Sequence, residues 1–211
     1  MKSLLIDTSN RYLVIAAYQD GVLLTGIQEE GSKKQSEYAI PYIERILNEH
    51  QLELFDFDEI IVTRGPGSYT GVRVGMTIAK TIKTVHPIDV KMISSLHAYA
   101  GSHGKKISVI DARSKKVFIA CYEDGKVVHN ESLIDIADFA AFKEDYKDYI
   151  VVGDAHLVGE ENKDICLYEQ MYELSKSISP VNSVHELVPT YIKDIEVKQI
   201  WHPSEKWELK M

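Results

Sequence analysis

Leu5-Ile6-Asp7-Thr8-Ser9, running on through Leu13-Val14-Ile15-Ala16-Ala17-Tyr18-Gln19-Asp20-Gly21, recurs without gaps as Val109-Ile110-Asp111-Ala112-Arg113, running on through Val117-Phe118-Ile119-Ala120-Cys121-Tyr122-Glu123-Asp124-Gly125. Ile, Asp, Ile, Ala, Tyr, Asp and Gly stand at matching places in the two copies. Each copy reads as strand, tight turn, strand and a second turn at Asp-Gly, a strong hairpin signal because both residues tolerate positive φ. A fixed internal repeat points to a duplicated architecture rather than one unbroken unit.

The elements around each copy follow a similar order. After the first meander, apolar residues at Ala39, Tyr42, Ile43, Ile46 and Leu47 have helical spacing, which predicts a helix over 36–50 with Ser36 as N-cap and Pro41 in its first turns. A strand at 59–63, a glycine-rich segment at 64–71, a long helix ending before Pro87, a strand at 90–93 and a helix at 95–100 complete the first half. The second half is leaner, with strands at 106–111, 116–123, 126–131 and 149–152 and helices at 136–146 and 168–177. No low-complexity linker parts the halves. The division expected is residues 1–102 as one lobe and 103–187 as a shortened second, with a tail at about 188–211 that packs back on the first.

Composition narrows the function. At 211 residues and 45% hydrophobic, the chain can build a core without disulfides, and neither Cys121 nor Cys166 belongs to a paired spacing. A formal charge of −8 argues against a protein that holds nucleic acid unaided, and Lys33-Lys34 and Arg113 to Lys116 read as solvated loop charges. No apolar run is long enough to span a bilayer and no signal peptide is evident, so the cytoplasm is the expected location. None of the eight histidines pairs at i, i+4, and no metal or cofactor is expected.

Paired hairpins with Asp at the first turn, in a duplicated α/β fold, are the arrangement of actin-like ATPases, which face a nucleotide from both lobes. Asp7, Thr8, Ser9 and Asp111 are therefore the candidate nucleotide-site residues, with Asp7 capping its own turn as the competing reading. Ala112-Arg113 replaces the hydroxyl pair in the second copy, as in a changed or abandoned phosphate site. Gly67, Gly71 and Gly75 recur every fourth residue and share one helical face, which calls for close backbone approach, within the lobe or across a subunit boundary. Phosphate binding at the helix start competes with that reading, but the run lacks the Lys-Ser or Lys-Thr of a P-loop.

The run Arg64-Gly65-Pro66-Gly67-Ser68-Tyr69-Thr70-Gly71-Val72-Arg73-Val74-Gly75 resembles the signature of the TsaB (YeaZ) family. The resemblance extends to Ile6-Asp7-Thr8-Ser9, Gln35-Ser36-Glu37 with Pro41, Ala79-Lys80, Ser94-Ser95-Leu96, Ile110-Asp111-Ala112-Arg113, Val152-Gly153-Asp154 and Pro189-Thr190-Tyr191-Ile192. It implies a duplicated actin-like (ASKHA, ribonuclease H-like) fold with two lobes of mixed sheet and helices. It further implies a non-catalytic accessory subunit for N6-threonylcarbamoyladenosine formation beside the anticodon of tRNA. The implied partners are the catalytic subunit TsaD, the ATPase TsaE and a second copy of the chain when alone, with tRNA met only through the complex. The Asn-His-x-x-x-His metal motif of TsaD would fall on Ser94, Ser95 and Tyr99, where neither histidine is present. Gln35 stands where the family commonly has histidine, and the stretch between Val152 and Pro189 is short. The helices at 36–50 and 68–86 are the expected partner surface, through Tyr38, Tyr42, Ile46, Gly67, Gly71, Val74, Gly75 and Ile78. A small actin-like metabolite kinase and a metallopeptidase are the competing classes.

Overall fold

The computed structural model describes residues 1–31 and 35–192; Lys33-Lys34 and the tail beyond Ile192 lie outside the described residues. Strands β1 (Lys2–Asp7), β2 (Tyr12–Gln19) and β3 (Val22–Glu30) form an antiparallel meander. Helix α1 (Gln35–His50) leads to β4 (Glu59–Thr63), and α2 (Tyr69–Val85) leads to β5 (Asp89–Ile93). Both strands run parallel to β1, giving the order β3-β2-β1-β4-β5. Ser36 thus falls inside α1 rather than ahead of it.

After α3 (Ser95–Ala100), the pattern repeats in β6 (Lys105–Arg113), β7 (Lys116–Glu123) and β8 (Lys126–Asp135). The short helix α4 (Phe139–Glu144) precedes β9 (Ile150–Gly153), giving the order β8-β7-β6-β9, and α5 (Leu167–Ser175) comes next in the chain. The two Asp-Gly turns match closely. Asp20 and Gly21 have φ of 52° and 86°, and Asp124 and Gly125 have 47° and 73°, the left-handed pair a tight hairpin needs.

One detail of the repeat fails in space. Along β2 and β7 the copies agree face for face: Val14, Ala16 and Tyr18, like Phe118, Ala120 and Tyr122, turn toward a core between the sheets. Along β1 and β6 they are out of step. Leu5 joins that central core, whereas Val109 turns to the outer side of the second sheet, and Ile110 and Ala112 take the inner face. Asp7 pairs with Val14 but Asp111 with Val117, so the two aspartates do not hold corresponding register positions. A strand slipped by one residue presents its opposite set of side chains. The irregularity between Asp111 and Arg113 absorbs the slip.

Register decides the layers. Helices α1 and α2 cover the outer face of the first sheet, burying Ile43, Ile46, Met76 and Ala79 against Leu4, Ile6, Ile15 and Val62. Phe139 of α4 packs on the outer face of the second. Between the sheets the halves exchange helices: α3 packs on β6, β7 and β9, whereas α5 packs on β1 to β5. Leu96 and Tyr99 of α3 and Leu167, Met171 and Leu174 of α5 belong to one buried cluster shared by both sheets. Gln28 adds a polar clasp, donating to Ile165 O and accepting from Leu167 N, both at 2.7 Å. The end of the described chain returns to the first half, where Thr190 N donates to Arg64 O at 2.7 Å.

Candidate functional site

The Asp7-Thr8-Ser9 turn is pressed against the first turns of α2. Asp7 is buried, accepting from Ser9 N (2.7 Å) and the Thr63 hydroxyl (2.6 Å). The Thr8 hydroxyl donates to Gly71 O (2.6 Å) and accepts from Gly75 N (3.0 Å). Ser9 shares a hydrogen bond with the Ser95 hydroxyl (2.8 Å), and its carbonyl accepts from Ser68 N (2.7 Å). Burial pushes the Asp7 carboxyl up, against the lowering effect of the hydrogen bonds from Ser9 and Thr63. All three side chains are therefore engaged inside the fold.

The glycine face explains this closeness. A Cβ on Gly67 would stand 2.3 Å from Ser9 O, and one on Gly71 only 2.0 Å from Thr8 O. The close approach expected from the spacing is made by the chain's own β1–β2 turn. That corrects the assignment of Gly67, Gly71 and Gly75 to a partner surface, since their face is already filled. Ile46 is corrected likewise, being fully buried under the first sheet. Tyr38 is exposed, whereas Tyr42, Val74 and Ile78 are partly exposed and also pack against the core beneath α1 and α2, which contact each other. Tyr42 also donates to Glu29 at 2.5 Å.

Beyond the turn lies an open cleft of about 1440 Å³ between the halves. Its walls are the turn after β1 (Ser9, Asn10, Arg11), the start of α2 (Pro66 to Thr70), the turn after β6 (Asp111 to Ser114, and Lys116), Asp154, His156 and Leu157, and Thr190 to Ile192. Asp111 lies on this wall, accepting from Arg113 N (2.7 Å) and pairing with the Arg113 guanidinium (2.8 Å). Asp7 and Thr8 do not line it. Asp154 is buried, accepts from Asp111 N (2.9 Å) and lies 3.9 Å from Arg11; burial raises its carboxyl, opposed by those two partners. Sequence reasoning singles out neither Arg11 nor Asp154 as a site residue. The Val152-Gly153-Asp154 run is the available signal for the second, and the repeat offers none for Arg11.

The positions of the absent histidines are filled by structural groups. Ser94 caps α3 by accepting from His97 N, Ser95 bonds Ser9, and the Tyr99 ring is buried in the central core. Among the described residues, no group of three or more His, Cys, Asp or Glu could hold a metal ion.

Asp7→Asn separates a capping role from a catalytic one. A folded-state carboxyl held above its unfolded range gains stability as pH falls through that window, and its buried charge costs stability once pH rises past the folded pKa. Asn keeps an oxygen acceptor for Ser9 N and Thr63 without the charge. The expected melting temperature near neutral pH is equal to or above that of the wild type. A clear fall would show that the carboxylate charge stabilises the turn.

The sequence model of the family described as TsaD, tRNA N6-adenosine threonylcarbamoyltransferase, matches residues 25–190. The tRNA threonylcarbamoyladenosine biosynthesis protein TsaB of Bacillus subtilis is 30% identical, the match covering 98% of this chain and 100% of that protein. The Escherichia coli protein of the same name is 29% identical over 58% of this chain and 55% of its own length. Among solved structures, a Pseudomonas aeruginosa protein described as similar to peptidase YEAZ superposes with a TM-score of 0.72 at 20% identity, covering 91% of this chain and 99% of that one. That likeness bears on fold alone.

Proposed function

Because the chain belongs to the TsaB family of tRNA threonylcarbamoyladenosine biosynthesis proteins, we propose that it acts as a non-catalytic subunit that binds and supports the catalytic subunit TsaD. The observation that carries the non-catalytic part is the closed first turn. Asp7 and Thr8 are spent inside the fold, on Ser9 N, the Thr63 hydroxyl and the first turns of α2, and do not face the cleft where a phosphate or metal-bound water would sit. A subunit of this kind raises activity through binding free energy, by holding its partner in a competent arrangement. The fold is the duplicated actin-like one, with residues 1–102 and 103–187 as its lobes on this reading. The metabolite-kinase alternative is not favoured by the relatives, which carry tRNA modification names.

The partner surface on this reading is the exposed side of α1 and α2, centred on Tyr38, Tyr42, Val74 and Ile78. It serves a second copy of the chain when the protein is alone and TsaD in the working complex, with TsaE joining during the cycle and tRNA met through the assembly. The cytosol is the compartment proposed. No helix among the described residues is long and apolar enough to cross a membrane.

The decisive test is a tRNA threonylcarbamoylation assay with each subunit omitted in turn. Modification is expected only when this chain is present, and none from this chain alone. Turnover of ATP by the isolated chain, abolished by Asp7→Ala, would restore the kinase reading. For the surface, Ile78→Asp places a charge in the centre of the proposed contact and is expected to weaken TsaD binding by about thirtyfold or more, the effect of losing a central anchor. Tyr42→Ala should act in the same direction. Unchanged dissociation constants in both variants, with melting curves like the wild type, would move the interface elsewhere.

A further inference from the structure

The turn between β6 and β7 combines backbone strain with exposed positive charge. Arg113, Ser114 and Lys115 are three consecutive non-glycine residues in the left-handed region, with φ of 64°, 54° and 60°. A tight hairpin turn favours Asn-Gly at its two left-handed positions; here they carry Ser-Lys, with a left-handed arginine before them. The strain presents cations to solvent: the Arg113 side chain is 86% exposed, and Ser114 and Lys115 are exposed beside it. Asp111 holds the base of the turn through Arg113 N and the Arg113 guanidinium.

The same cleft is lined by a second unusual group. The rings of Tyr69 and Tyr191 lie 5.4 Å apart, and both residues are close to half exposed. Arg73 sits 4.0 Å over the Tyr69 ring and donates to the Tyr191 hydroxyl at 2.9 Å. Tyr69, Tyr191, Arg113, Ser114 and Lys116 all line the one cleft. Of the acids lining it, Asp111 and Asp154 are held by arginine and backbone N–H groups, leaving Glu30 on the wall.

We infer that the mouth of this cleft contacts an unpaired stretch of the RNA, the Arg113–Lys116 turn meeting phosphates and the Tyr69–Tyr191 pair stacking on an exposed base. Cations and hydroxyls recognise the phosphate backbone, and aromatic faces take bases freed from a helix. A purely anionic partner would account for the turn but not for two half-exposed tyrosine rings lining the same cleft. The inference rests on the reading that the chain serves tRNA modification. With a net charge of −8, the contact adds to an assembly's grip on RNA and does not act alone.

The experiment uses fluorescently labelled, unmodified tRNA and the purified complex of this chain with TsaD. Anisotropy gives the dissociation constant across salt concentrations, and the modification assay gives KM for tRNA. Tyr69→Ala, and separately Arg113→Ser with Lys115→Ser, should each weaken binding by about tenfold and raise KM with kcat unchanged. The double variant should also flatten the salt dependence by about 1 to 2 in slope, and Arg113→Lys should retain most of the affinity. Unchanged affinity and KM in folded variants that still support modification would overturn the RNA contact and leave the subunit reading standing. Failure of the wild type to support modification would overturn the reading itself. Variants that lose TsaD, by gel filtration, would assign the cleft to a protein partner and likewise overturn the inference. Should Tyr69→Ala melt early, the exposed Arg113 and Lys115 pair decides.

Discussion

Gly71→Leu is expected to destabilise the isolated chain by about 3 kcal/mol or more, because the overpacking is against backbone. A side chain can usually rotate away from a clash, but the nearest atom here is Thr8 O, 2.0 Å from where the new Cβ must stand. Relief requires moving either the end of β1 or the first turn of α2. Neither moves freely. The Thr8 hydroxyl bridges Gly71 O and Gly75 N, the carbonyl and amide that an uninterrupted helix joins directly. Shifting α2 would break that bridge, and shifting the end of β1 would also open the Ser9–Ser95 contact, which ties the turn to α3. In a chain of this size each kcal/mol corresponds to about 2–4 °C, so a melting temperature lower by about 6–12 °C is the expected reading. Denaturant titration gives the free energy directly. A Gly71→Leu protein that melts like the wild type but no longer binds TsaD would return the glycine face to the partner surface.

That position also shows how much the sequence could tell. Spacing places Gly67, Gly71 and Gly75 on one helical face and demands a close neighbour. It cannot identify the neighbour, because the atoms that fill the face belong to Thr8 and Ser9, on a different element far away in the chain. Hairpin chemistry is legible for the opposite reason. Asp20-Gly21 and Asp124-Gly125 need only local backbone physics to become turns, and both do. The strands at 59–63 and 116–123 and the helix at 95–100 fall where local pattern puts them.

The gapless repeat misleads where register is concerned. Matching letters in β1 and β6 conceal a one-residue slip, visible only through which face Leu5 and Val109 bury. The exchange of α3 and α5 between the sheets is equally hidden, since an amphipathic pattern says that a face is buried and not beneath which sheet. For the site, sequence locates both turns that border the cleft but leaves Asp7 between a nucleotide-facing role and the cap of its own turn. In the structure Asp7 turns inward to Thr63, and Asp154 and Arg11 reach the wall instead. The left-handed backbone of Arg113, Ser114 and Lys115 leaves no mark in composition, so the basic run is legible in the sequence only as loop charge.

Lys91→Met should cost about 3 kcal/mol, the low end of the loss caused by removing one partner of a buried ion pair. Glu59 begins β4 and Lys91 lies in β5, on the inward face of the first sheet at the end away from the cleft. Their charged groups are 2.8 Å apart, with side chains only 4% and 15% exposed. Ser3 of β1 donates to the other Glu59 oxygen at 2.6 Å, so three neighbouring strands share one polar cluster. Removing the lysine leaves a carboxylate in a low-dielectric site with one hydroxyl partner, and the desolvation penalty is no longer offset. The low end applies because Ser3 remains and the lysine side reaches some solvent. Were the pair an ordinary surface contact, the loss would stay below about 1 kcal/mol and fade with salt. The check is a double-mutant cycle in denaturant with Lys91→Met, Glu59→Met and both together. The double variant should recover most of the loss, since two apolar side chains of similar volume replace the pair and leave only the Ser3 hydroxyl to find a new acceptor. A single Lys91→Met within about 0.5 kcal/mol of the wild type, the range of ordinary surface substitutions, would show that water reaches Glu59 and that the three strands are held by their hydrogen-bonded ladder and apolar faces alone.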